Sequence, residues 1–160
     1  MNPANSPAVP ERAIAYDTDY LQWLEQTVAQ LAAGDREGID WAHLIEELAD
    51  MGKRERRRFE SNLIVLLLHL LKWQYQAERR SGSWAGSIAE HRRRLRRALE
   101  DSPSLRPYLD EIFAASYQEA RQQAALETEL PLARFPEAAP DAIAVLLDPE
   151  FWPQPAPPES

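Results

Sequence analysis

Leu63-Ile-Val-Leu-Leu-Leu-His-Leu-Leu71 is apolar at every position but His69. A helix crossing a bilayer needs about 20 apolar residues, so this shorter run reads as a buried helix. The surrounding pattern predicts a helix from about Lys53 to Gln76 that is amphipathic in its first turns. A helix apolar nearly all round has to be covered on several sides, which places this one at the centre of a helical bundle.

Working outward, a first helix is expected from about Thr18 to Ala33. Asp17 would cap it, Tyr20, Trp23, Leu24, Val28 and Leu31 would face inward, and Gly34 would stop it. Asp40 caps a second helix with the stripe Trp41, Leu44, Ile45 and Leu48, and Met51-Gly52 marks its end or a bend. After the loop Arg80-Ser-Gly-Ser83, with Ser83 as cap, a fourth helix carries Trp84, Ile88, His91, Leu95 and Leu99 on one face. Arg93, Arg96 and Arg97 lie opposite, and Arg92 and Arg94 flank the stripe. Ser102 to Pro107 punctuates the chain. A fifth helix then runs to about Leu126 with Leu105, Leu109, Ile112, Phe113, Tyr117 and Ala120 inward. Asp141 would cap a short sixth helix, Ala142 to Leu147, and Phe151 and Trp152 would dock beyond it. No segment alternates apolar and polar residues as a strand does. The expectation is an all-α, single-domain bundle of five main helices plus a short C-terminal one. Its parts are a proline-bearing arm (1–13), a helical domain (14–153) and a proline-rich tail (154–160).

The chain has 160 residues, 44% of them hydrophobic and 28% charged, and no cysteine. The last fact excludes disulfides, thiolate metal sites and cysteine nucleophiles. The first residues carry neither a basic start nor an apolar run, so the expectation is a cytoplasmic protein without membrane association. Net charge is −8, unevenly spread: residues 1–52 carry −8, residues 53–97 carry +9 and residues 98–160 carry −9.

Four stretches carry a likeness to a known family: Tyr16-Asp-Thr-Asp-Tyr-Leu-Gln-Trp23, Asp40-Trp-Ala-His-Leu-Ile-Glu-Glu-Leu-Ala-Asp-Met-Gly52, Leu66-Leu-Leu-His-Leu-Leu-Lys-Trp-Gln-Tyr75 leading into Arg79-Arg80-Ser and Ser83-Trp84, and Asp101-Ser-Pro-Ser-Leu-Arg-Pro107. With them the chain resembles bacterial domain-of-unknown-function family twenty-nine, known from cyanobacteria and proteobacteria, over roughly residues 14–153. The resemblance implies an all-helical fold. It implies no activity and transfers no site residue.

Three constellations could carry function. His43 and Glu47, one helical turn apart, together with His69 and His91, are types that hold zinc, iron or manganese inside bundles. Their spacing matches no metal signature, and they read equally as hydrogen-bonded core histidines and a solvated acidic face. Arg54, Arg57, Arg58, Arg93, Arg96 and Arg97 could bind phosphate, against which stand the net charge and the acids available for internal pairing. Trp73, Tyr75, Arg79, Arg80 and Trp84 combine the residue types that interface hot spots favour. No glycine-rich phosphate loop, nucleophile elbow or catalytic triad is present in the sequence. The leading expectation is therefore a non-enzymatic module that binds another protein and needs no cofactor. Alternatives are an RNA- or DNA-binding protein using the arginines and a metal-dependent enzyme using the histidines.

Overall fold

The computed structural model describes residues 16–157, and the expected 1–13 arm lies outside them. The described residues are helical, with no strand. The helices are α1 (Tyr20–Ala33), α2 (Trp41–Tyr75), α3 (Gly82–Asp101), α4 (Leu105–Thr128) and α5 (Ile143–Leu146), with 3-10 turns at Ala77–Arg79 and Leu132–Arg134. The chain is a single all-α domain within which contacts define two compact units, divided between Gly52 and Lys53.

The expected second and third helices are one. α2 runs 35 residues without a break at Gly52, a length of about 52 Å at 1.5 Å per residue. One glycine weakens a helix by only about 1 kcal/mol, and its neighbours Lys53, Arg54, Glu55 and Arg56 are strong helix formers. Four long helices and a short fifth therefore replace the expected five and a sixth.

Helix starts also shift. Asp19, not Asp17, caps α1, its Oδ1 accepting from Gln22 N at 3.0 Å. Ser81, not Ser83, caps α3 by accepting from Trp84 N. Gly34 ends α1 at φ 74° as expected. α4 begins at Leu105 with Pro107 inside its first turn, which is tolerated because first-turn amides have no partner within the helix. α5 begins at Ile143 after Ala142, with no side-chain cap from Asp141.

In the unit from Lys53 onward, seven of the nine residues from Leu63 to Leu71 are buried. Around them pack Ile88, Leu95 and Leu99 of α3 and Leu105, Leu109, Ile112 and Tyr117 of α4. Phe135, Leu146 and the part-buried Phe151 and Trp152 close the remaining side from a largely irregular C-terminal segment.

That segment is fastened by Arg92, which the sequence places at the edge of the α3 stripe and the structure buries to 2% exposure. Its guanidinium donates to the carbonyls of Leu146 (2.8 Å), Pro149 (3.5 Å) and Phe151 (2.6 Å) and sits 5.5 Å from the centre of the Trp152 ring. Beyond Trp152, Pro153 is buried and Ala156 N donates to Gln74 O at 2.8 Å, so the packed chain extends into the expected tail.

Two outcomes test this account. A Cβ at Gly52 would meet nothing within 4 Å, so Gly52→Ala should raise stability by about 0.5–1 kcal/mol in urea unfolding; a loss would show that the glycine is needed as a bend. Arg92→Lys keeps the charge but not the fork, and should cost about 2–4 kcal/mol. It should also make the segment after Pro140 sensitive to protease, and an unchanged cleavage pattern would refute the fastening role.

Candidate functional site

The unit formed by residues 16–52 is a hairpin of α1 and the first turns of α2. Its inner contacts show the helices to be antiparallel. The Tyr16 hydroxyl donates to Glu47 Oε1 and the Tyr20 hydroxyl to Glu47 Oε2 (2.9 Å). Trp23 meets His43 edge-on at 6.4 Å, and near the turn Gln30 Nε2 donates to Gly38 O at 3.0 Å. His43 stacks on Tyr16 at 4.3 Å and its Nδ1 lies 2.6 Å from Asp40 Oδ2. The Glu47 carboxylate, by accepting a hydrogen bond from its hydroxyl, pushes the Tyr16 phenol up to about 12. The hairpin interior is thus polar and aromatic, with Trp23, Thr27 and Ile39 its buried residues.

The residues expected to face inward mostly do not: Tyr20, Leu24, Val28 and Leu31 on α1 and Trp41, Ile45 and Leu48 on α2 are exposed. With Leu21 and Met51, which the expected sets did not include, the stripes are Leu21, Leu24, Val28 and Leu31 on α1 and Trp41, Ile45, Leu48 and Met51 on α2, 36–64% exposed. On α1 this stripe lies about 100° past Trp23 and Thr27 in the winding direction, and on α2 about 120° past His43 and Glu47 in the same sense. Equal rotation on antiparallel helices turns both stripes to one side of the hairpin. Leu31 and Trp41 accordingly line one cleft of about 350 Å³ with Gly34, Arg36 and Ile39 at the turn end. The Trp41 indole N–H donates to Arg36 O at 3.1 Å, which holds the ring in place. The sequence contains these stripes, but periodicity could not say what they faced.

The other expected groupings are engaged within the chain. Trp73 packs on Trp152 at 4.8 Å and lies under Arg80 (4.7 Å), whose Nε donates to Trp73 O. Tyr75 packs on Phe135 at 5.0 Å beneath Arg134, and Trp84 receives Lys72 at 4.6 Å, itself paired with Glu127. Arg79 is exposed in its 3-10 turn.

Of the arginines, Arg93, Arg96 and Arg97 line an open cleft of about 680 Å³ beside Pro149 and Trp152, and Arg58, Arg93 and Arg97 a second of about 360 Å³. Arg54 and Arg57 line neither. Arg93 and Arg94 both bond Glu90, holding its carboxyl down at about 2; Arg97 faces Asp101 at 3.6 Å and Arg58 faces Glu55 at 3.7 Å.

The histidines are not brought together as a set. His43 belongs to the hairpin, and Glu47 beside it binds the two tyrosines. His69 Nδ1 bonds Val65 O (2.8 Å), and His91 Nδ1 bonds Asn62 Oδ1 (2.8 Å). Burial, helped by Arg94 and His69, lowers the His91 pKa. Among the described residues no three His, Asp or Glu side chains form a group that could hold a metal ion, and no helix is long and apolar enough to cross a membrane.

The Asp40 bond raises the His43 pKa, and the same bond lowers that of Asp40. The stability that His43 adds is therefore complete below its unfolded value of about 6.5 and is lost as pH rises through the higher folded value. The Asp40 contribution is lost as pH falls through its lowered value. An NMR titration should give His43 a midpoint above 6.5, falling toward it in Asp40→Asn; a wild-type midpoint at or below 6.5 would refute the pairing.

Residues 15–152 match the family model described as Domain of unknown function DUF29, and the chain belongs to that family. No curated protein and no solved structure matches the chain.

Proposed function

We propose that this member of the DUF29 family is a non-enzymatic, cytoplasmic module that binds another protein through the apolar face of its hairpin. The observation that carries the reading is the set of eight half-exposed apolar side chains gathered on one side of two helices. Folded monomers rarely leave large contiguous apolar patches in water, and those that do generally use them for binding. Covering each side chain would contribute on the order of 1 kcal/mol, enough in sum for a specific complex after the costs of association.

The other readings have less support. The candidate phosphate-binding arginines Arg93, Arg97 and Arg58 are drawn toward Glu90, Asp101 and Glu55, and residues 53–160 carry equal numbers of acidic and basic side chains. Of the candidate metal ligands, Glu47 bonds two tyrosines, His43 the Asp40 carboxylate, His69 a carbonyl and His91 an amide.

A photo-crosslinking residue placed at Leu48 in the full chain tests the proposal. It should trap one partner protein that the same residue at exposed Asp110 does not trap. The purified partner should bind the wild type at least tenfold more tightly than Ile45→Glu. Absence of an adduct, or adducts equal at both positions, would overturn the reading.

A further inference from the structure

Resting on that reading, we infer that the occupant of the hairpin face is a single amphipathic helix of the partner, about three turns long and flanked by lysine or arginine.

The length follows from the two stripes. Leu21 to Leu31 and Trp41 to Met51 each span ten residue steps, about 15 Å of helix. A partner helix of about twelve residues matches them, with apolar side chains at i, i+3 or i+4, i+7 and i+11. The form follows from the surface. Two antiparallel helices present two ridges with a furrow between, into which a third helix fits along its length. A flat surface would touch only the ridges. At the turn end, the cleft between Leu31 and Trp41 has room for one large apolar side chain, and the tethered indole gives it a fixed wall. Anchoring side chains of this kind dominate helix-in-groove recognition.

The charge of the partner follows from the hairpin itself. Residues 16–52 hold nine acidic side chains and one basic one, Arg36. The whole net charge of −8 resides in residues 1–52. Such a field repels a second copy of the hairpin and an anionic lipid surface, and attracts a basic helix.

Fluorescence anisotropy with labelled 14-residue peptides and the full chain tests this. The probe has leucines at the stated spacing with lysine and arginine on the other face. One control keeps its composition but scrambles the spacing, and another replaces the basic residues by glutamate. The basic amphipathic peptide should bind at least tenfold more tightly than either control, and more weakly as salt rises. Ile45→Glu and Leu24→Glu, shown folded by circular dichroism, should each weaken it at least tenfold. Both variants make the hairpin more acidic, so such a loss identifies apolar docking rather than general attraction. Equal binding of the scrambled peptide, or binding indifferent to both variants, would overturn the inference. So would self-association abolished by Ile45→Glu, which assigns the face to a second copy, or docking to phosphatidylcholine–phosphatidylglycerol vesicles abolished by it. If Leu48 crosslinks a partner but the basic peptide does not bind, the protein-binding proposal stands and the helical occupant fails.

Discussion

A helix apolar round its circumference must be covered on every side, and residues 63–71 impose that constraint on the unit from Lys53 onward. α3 and α4 supply apolar stripes for part of the circumference. The rest is closed by a segment with little regular structure, whose carbonyls find few partners within itself. Carbonyls carried onto a core need donors. The guanidinium of Arg92 meets that need at Leu146, Pro149 and Phe151. A buried arginine in a leucine-rich core is thus a consequence of covering α2 with irregular chain, because a guanidinium offers five donors in a fixed fork.

This explains which features the sequence displays. The run Leu63–Leu71 is readable because burial on all sides demands apolar residues at every angle. Arg92 is not, since periodicity assigns a charged residue to the rim and cannot see three carbonyls arriving more than fifty residues later in the chain. Gly52 misleads because a local cost of about 1 kcal/mol is small beside the propensities of its neighbours and the packing of the helix it belongs to. The cap shifts from Asp17 to Asp19 and from Ser83 to Ser81 have a simpler cause. Each start offers two good capping residues two positions apart, and tertiary geometry selects between them.

The hairpin shows the limit of periodicity from the opposite side. Its apolar stripes are where the 3.6-residue spacing puts them, yet the surface between the helices is built from Tyr16, Tyr20, Trp23, Thr27, His43 and Glu47. A moment identifies an apolar direction but not what lies in that direction. The signal that could have corrected the expectation is the polar-aromatic set itself: Tyr16 and Tyr20 are one turn apart, as are His43 and Glu47, and each pair includes groups able to bond the other.

Directional bonds between the helices also account for how the apolar face can stay in water. A hairpin joined only by leucines would gain by rotating its stripes inward. Here rotation would break two tyrosine–carboxylate bonds and the Tyr16–His43 stack. Losing these hydrogen bonds to a charged group opposes the rotation. The polar interior therefore holds the helices in register and keeps the apolar side turned outward. A surface organised in advance binds without the ordering cost that a flexible one would incur.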